Sequence, residues 1–297
     1  MSYAHIENLY RATAQDILLF KQCYAMEKIH GTSSHIDWKN ETKQLSFFSG
    51  GENHENFVKL FDQEKLTALF TQLVSAPTKH VRIHGEAYGD KQQGMSKVYG
   101  PKLRFVAFDV CIDNLWLSVS DADAFVKSFD LEFVFYRICG TDLASLDAER
   151  DSTSEQSIRN GIVDNTTYDS SKREGIVIRP LIEVCKNNGN RICAKHKRAE
   201  FCERKTPQIV DINKREILIK AAAIANEWVT EMRLSHVLDK LGNPTDMSDI
   251  PKVIVAMIED VTREASGEIF DSKDARKAIS AATVKMYKER VTKIPNL

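Results

Sequence analysis

The spacing of apolar positions changes once along the chain, after Pro207. Before it, short runs rich in Val, Ile and Phe are bounded by Gly, Asp and Asn, which is how strands read. Val81–His84, Leu103–Val110, Leu115–Val119, Glu132–Ile138, Gly175–Ile178 and Arg191–Lys197 are the predicted strands. Asp121 is placed to cap a short helix through Phe129. Asp151–Lys172 crowds Ser, Thr, Asn and Asp together and predicts a surface loop with room for one helical turn. From Asn213 the period becomes helical. Ile217, Ile219, Ala221 and Ile224 lead into Trp228, Met232, Val237, Leu238 and Leu241, a run stopped by Gly242-Asn243-Pro244. A second helix starts near Pro251 with Ile254, Met257, Ile258 and Val261, and a third follows Asp271 with Ala278, Ile279, Ala282 and Met286. The pattern predicts an α+β fold: antiparallel sheets with flanking helices over residues 1–208, then a small all-helical domain over 209–297. There is no internal repeat and no low-complexity tract.

Composition narrows this little. Of 297 residues, 42% are hydrophobic, enough for a buried core and too many for a disordered tail. The formal net charge of −1 is neutral on nucleic-acid binding, because a local basic groove can sit on a neutral body. The six cysteines form no C-x-x-C pair, which argues against a zinc ribbon. Their scatter, with no N-terminal apolar segment, fits a soluble protein of a reducing cytoplasm. No apolar run approaches the ~18 residues of a membrane span.

Lys28 sits in Ala25-Met26-Glu27-Lys28-Ile29-His30-Gly31-Thr32. Partial desolvation by apolar neighbours frees an amine for attack, and Gly31 lets the backbone come close to a phosphate. Lys-x-x-Gly is common by chance, so the weight comes from the segments that follow in order. His84-Gly85-Glu86-Ala87-Tyr88-Gly89 places a carboxylate between two glycines. Leu103 to Val110 is an apolar strand with an acid near its end. Arg173-Glu174-Gly175-Ile176-Val177-Ile178-Arg179-Pro180 begins a strand with an acid and a glycine. Ala194-Lys195-His196-Lys197 spaces two lysines so that a strand aims both at one face. Asn187-Asn188-Gly189-Asn190 is a hairpin signal that folds the strand after Glu174 back against the strand of Lys195 and Lys197.

In content and order, these five segments over about residues 20–205 resemble the motifs of the covalent nucleotidyltransferases: DNA ligases, RNA ligases and capping enzymes. Lys28-Ile29-His30-Gly31, with Glu27 before it, is most similar to the RNA ligase 2 family, where K-x-H-G replaces the K-x-D-G of DNA ligases and capping enzymes. The resemblance implies a nucleotidyltransferase (adenylation) domain and ATP-dependent sealing of 3′-hydroxyl and 5′-phosphate RNA ends. Lys28 would attack the α-phosphate of ATP and form lysyl–AMP. Glu27, Ile29 and Gly31 would help hold the nucleotide, Glu86 would bind the ribose hydroxyls and Phe105 would stack on adenine. Glu174 would bind Mg²⁺ or Mn²⁺. Lys195 and Lys197 would offset charge on the phosphates during transfer.

Departures from the family pattern bear on the substrate more than on the chemistry. Ser33 stands where the family usually has Asn, and Arg179 where it usually has Lys. Ser46-Phe47-Phe48-Ser49-Gly50-Gly51 lacks the family's basic residue; Gly50-Gly51 reads equally as an anion nest or a simple turn. Basic residues cluster at Lys195, Lys197, Arg198, Arg204 and Lys205, and at Lys285, Lys288, Arg290 and Lys293; the second cluster reads equally as a phosphate contact and a solvated helix face. The loop Asp90–Lys97 is flexible by composition and could close on a nucleic-acid end. The expected partner is RNA, as a nicked duplex or RNA–DNA hybrid end, bound by a monomer in a bacterial or phage-infected cytoplasm. Two other readings are a DNA ligase or capping guanylyltransferase, against which His30 argues, and a silent RNA-end-binding pseudo-ligase, against which the full motif set argues.

Overall fold

The computed structural model describes residues 3–162, 172–201, 210–266, 268–269 and 271–293. The chain divides into two compact units, Met1–Val210 and Asp211–Leu297.

Among its described residues the first unit holds nine strands: β1 (Gln22–Glu27), β2 (Thr32–Lys39), β3 (Gln44–Phe48), β4 (His80–Tyr88), β5 (Arg104–Ile112), β6 (Leu115–Trp116), β7 (Tyr136–Gly140), β8 (Gly175–Pro180) and β9 (Ala194–Lys197). They form two antiparallel sheets, ordered β7-β1-β8-β9 and β3-β2-β4-β5-β6. Helices α1 (His54–Val58), α2 (Gln63–Leu73), α3 (Ser96–Tyr99), α4 (Val119–Ser128), α5 (Leu143–Arg150) and α6 (Glu155–Arg159) flank them. One face of the second sheet packs an aromatic core in which Trp38 stacks on Phe70 at 5.2 Å, beside buried Ile36, Ile83 and Phe129. One face of the first sheet buries Cys23, Ala25, Ile176 and Ile178 against Leu9, Ile17 and Leu146.

The sheets are tied together by buried charge. Asp109, on β5, accepts from Arg179 of β8 at 2.9 Å, from Arg191 at 2.5 Å and from the Tyr3 hydroxyl at 2.6 Å. A carboxylate with no exposed surface is tolerated only when donors surround it. Asp109 reaches this position because the β4–β5 register shifts between His84 and Gly85. The shift is a bulge at Phe108, and a bulge re-aims the residues beside it.

Several boundaries differ from the sequence expectations. Helix α4 is capped by Ser118, whose hydroxyl accepts from the Asp121 N–H, so Asp121 lies in the first turn and is not the cap. The predicted strand Glu132–Ile138 becomes β7 only from Tyr136; before that, Glu132 and Val134 bond to Ala107 as the chain passes along β5. The predicted strand Leu115–Val119 is paired only at Leu115–Trp116 because Val119 already begins α4. Arg191–Lys197 is strand only from Ala194. Helix α6 supplies the one turn expected within the polar stretch, and residues 163–171 of it lie outside the described residues. The hairpin at Lys186–Asn190 closes as expected, with Gly189 at φ +80°, and antiparallel β8–β9 pairs Gly175 with Lys197. The loop expected at Asp90–Lys97 carries a 3-10 turn at Gln92–Gly94 and the start of α3.

The second unit is helical: α7 (Ile212–Trp228), α8 (Glu231–Lys240), α9 (Ile250–Glu264) and α10 (Lys273–Lys293). The single run expected from Ile217 to Leu241 is two helices, because Thr230 turns extended and its hydroxyl caps α8 at the Arg233 N–H. Gly242 at φ +80° and Asn243 at φ +55° then end α8, with the Asn243 N–H returning to the Leu238 carbonyl. Leu234, Leu238, Met257, Val261, Ile279 and Tyr287 form its core. Among the described residues, no helix is long and apolar enough to cross a membrane.

Replacing Asp109 with Ala leaves two buried guanidinium groups short of a partner. We expect a loss of about 3–5 kcal/mol in urea unfolding; a loss below about 1 kcal/mol would show that the sheets do not depend on this carboxylate.

Candidate active site

Lys28 follows β1 directly, and its N–H still bonds to the Gly175 carbonyl at 3.0 Å, so β8 fixes the backbone where the strand ends. The turn into β2 passes so close to β4 that a Cβ on Gly31 would lie 2.3 Å from the Ala87 carbonyl oxygen. Only glycine fits there, and its N–H donates to Glu86 Oε1 at 3.2 Å. At the start of β8, a Cβ on Gly175 would lie 2.2 Å from the His196 carbonyl oxygen. This close approach brings Glu174 against β9.

The result is a carboxylate held by three basic side chains. Glu174 Oε2 lies 2.8 Å from Lys28 Nζ and 3.1 Å from His30 Nδ1, and Oε1 lies 2.7 Å from Lys197 Nζ. The Glu174 side chain is wholly buried, whereas that of Lys28 keeps 24% of its surface exposed. Burial alone would raise the Glu174 pKa, but His30, Lys28 and Lys197 outweigh it and bring it down to about 2. Glu86, half-buried nearby, goes the other way: burial raises it to about 7, against the pull of Lys28 and the Gly31 N–H.

Beside this cluster lies a cavity of about 290 Å3 between the two sheets. Met26, Ile29, Val106, Phe108 and Val177 give it apolar walls, and Lys28, Glu86, Arg179 and Lys195 add polar groups. That composition, mostly apolar with a few polar groups placed around it, is the usual one for a small-molecule site. Tyr3 to Ile6 close one side. The same N-terminal segment fixes the Lys195 backbone, which donates to Glu7 and accepts from Leu9.

Of the residues singled out from the sequence, the structure brings Lys28, Glu174, Lys197, Glu86, Ile29, Gly31 and Lys195 together. Glu27 borders the cavity, but its carboxylate is buried and engaged elsewhere: it accepts from the Ser154 hydroxyl at 2.5 Å and the Gln156 N–H at 3.2 Å. Phe105 is a correction. Opposed residues of an antiparallel pair share a face, and Phe105 opposes Ala87 while Val106 opposes Glu86. Phe105 therefore points away from the cavity and packs edge-on against Phe57 at 5.7 Å and Phe61 at 5.4 Å. Phe108 is the ring of that strand on the cavity wall, two residues after Val106 and on the same face. Tyr3 and the ion-pairing role of His30 were also missed; the histidine inside Lys28-Ile29-His30-Gly31 was the available signal. Ser33 lines the cavity, and the Gly51 N–H is already given to Thr32 Oγ1 at 2.8 Å, which favours the turn over the anion nest. In the basic clusters, Arg290 bonds to Ser235 at 2.7 Å, while Arg204, Lys205 and the Lys293 side chain lie outside the described residues.

Among the described residues, no group of three or more His, Cys, Asp or Glu side chains is arranged to hold a metal ion. A divalent ion here would have to take most of its ligands from phosphate and water, as Mg²⁺ commonly does with one or two carboxylates. Glu174, with Glu86 nearby, fits that donor set.

The RNA ligase family model matches residues 21–197, more than half of the chain, and the chain belongs to that family. Comparison with curated proteins returns no match. Among solved structures, a mutant of Naegleria gruberi RNA ligase with ATP and Mn is 15% identical, with a TM-score of 0.51 over 69% of this chain and 58% of that one. A second mutant of that enzyme, in the apo form, is 16% identical, with a TM-score of 0.50 over 68% and 57%. The chain thus spans under two thirds of the length of these relatives. The likeness at this identity is one of fold, and the α+β class expected from the sequence is the class found.

Glu86 gives a pH test. Its folded pKa of about 7 lies above the ordinary 4.5, so the folded state keeps a proton that the unfolded chain releases. Its penalty to stability is absent below about pH 4.5, grows through pH 7 and is complete above it. Glu86→Gln should therefore stabilise the protein by roughly 1–3 kcal/mol at pH 8 and by little at pH 4.5, read from thermal unfolding at both values. The same increment at both pH values would contradict the assignment.

Proposed function

We propose that this chain is an ATP-dependent RNA ligase, joining 3′-hydroxyl and 5′-phosphate ends through lysyl-AMP and RNA-adenylate intermediates. The observation that carries the reading is the meeting of Lys28 and Lys197 on Glu174 at the edge of a cavity bordered by Glu86 and Phe108. An amine beside a nucleotide-sized cavity is the arrangement that nucleophilic catalysis needs.

The roles follow from position. Adenine packs between apolar walls with Phe108 as its ring contact, and Glu86 accepts the ribose hydroxyls. Met26, Ile29 and Gly31 close the site by shape. Glu27 supports it by anchoring the start of α6 at Ser154. Without nucleotide, Glu174 pairs with Lys28 and occupies the nucleophile. Glu174 would hold Mg²⁺ or Mn²⁺, which would supply neutralisation of phosphate charge. The Lys28 amine, its proton passed to solvent on its exposed side, leaves Glu174 and attacks the α-phosphate. A phosphoramidate bond forms, the bond to pyrophosphate breaks, and Lys195 and Lys197 stabilise the departing charge. AMP then passes to the RNA 5′-phosphate, and the 3′-hydroxyl displaces it.

Residues 1–208 act as the adenylation domain, and the helical residues 209–297 engage the RNA end. Nicked duplex RNA or an RNA–DNA hybrid is the substrate. The protein works as a monomer in a bacterial or phage-infected cytoplasm, a placement that its scattered cysteines, with no C-x-x-C pair, fit.

Lys28→Ala should abolish covalent labelling by ATP radioactive at the α-phosphate; a labelled mutant would remove the assignment. Phe108→Ala should raise the KM for ATP in that assay by roughly tenfold, the order of one lost stacking contact. An unchanged KM would take adenine off that wall.

A further inference from the structure

Cys23 and Cys139 lie outside the cavity and take no part in the ligase reading. They oppose one another on β1 and β7, with their sulfurs 3.8 Å apart. Directly opposed residues of antiparallel strands have Cα atoms roughly 4.5–5.5 Å apart, inside the roughly 4.4–6.8 Å window that a disulfide spans. The strand pairing is therefore of a kind that a disulfide can span. Cys23 is fully buried, while Cys139 is partly exposed at the surface. We propose that Cys23 and Cys139 form a hydroperoxide-sensitive thiol pair that closes reversibly to a disulfide, with Cys139 as the attacking sulfur and Cys23 as the resolving one.

Electrostatics supports this order. The Cys139 thiol is held below its ordinary pKa, chiefly because its thiolate accepts a hydrogen bond from Cys23. The same contact, together with burial, holds Cys23 well above it. Thiolate character with access to solvent, next to a second thiol, is what distinguishes a reactive cysteine from an inert buried one.

The chemistry balances in two steps. Cys139 gives its proton to solvent and its thiolate attacks a hydroperoxide; a sulfur–oxygen bond forms, the oxygen–oxygen bond breaks, and the leaving alkoxide or hydroxide takes a proton back from solvent to depart as alcohol or water. Cys23 then attacks the Cys139 sulfur, the sulfur–sulfur bond forms, and hydroxide leaves with the Cys23 proton as water. The two sulfurs are oxidised and the peroxide is reduced. The bond ties β7 to the strand that ends at Lys28, five positions after Cys23.

The test is to treat the full chain with stoichiometric hydrogen peroxide and digest it without reductant. The expected product is a peptide joining Cys23 to Cys139, lost on adding dithiothreitol, in a protein whose thermal midpoint has risen by several degrees. In Cys23→Ser, dimedone should instead trap a sulfenic acid at Cys139. Oxidation of Cys139 without linkage to Cys23, linkage of either to another cysteine, or both thiols still free would each overturn the proposal.

Discussion

The site is organised by one buried carboxylate. Glu174 has no exposed surface, and it is ionised only because Lys28, His30 and Lys197 surround it. Each of these comes from a different stretch of chain: the end of β1, the turn into β2, and the end of β9. An uncompensated charge at that depth is costly, so folding must deliver all three partners together. Close backbone approaches at Gly31 and Gly175 make this possible, since a side chain at either position would drive the strands apart. The same ion pairs that hold the site together also engage the Lys28 amine. In the proposed mechanism the Lys28 amine must leave Glu174 to attack, so the interaction that assembles the site also engages the nucleophile until substrate arrives.

A second buried carboxylate plays the structural counterpart. Asp109 joins the two sheets through Arg179 and Arg191, and the cavity lies between those sheets. The bulge turns Asp109 inward, onto the face that Val106 and Phe108 already share by alternation.

Much of this was legible in the residues. The strands at Val81–His84 and Gly175–Ile178, the hairpin at Asn187–Asn190 and the helical character after Pro207 rest on local signals, namely alternation, turn chemistry and helical period. Lys28, Glu86, Glu174 and Lys197 were found because their order along the chain is informative. What was not legible depends on contacts distant in sequence. Phe105 and Phe108 look alike on an apolar strand, and only the register against β4 separates the core ring from the cavity ring. Glu27 reads as a cleft carboxylate until α6 supplies Ser154 and Gln156 as its partners. Strands β1 to β3 were not proposed; in β2, polar Thr32, Ser33, Ser34, His35, Asp37 and Lys39 leave only Ile36 and Trp38 to mark a buried face. The break between α7 and α8 hangs on the hydroxyl of Thr230, inside a run whose apolar spacing continues across it.

The central claim is that Lys28 is the amine that the Glu174 cluster positions for reaction. Incubation with ATP and a divalent cation, followed by peptide mapping by mass spectrometry, tests it most directly. The account predicts one AMP per chain, carried on the peptide containing Lys28. AMP attached to Lys195, Lys197 or any other side chain, or no adduct at all, would contradict it.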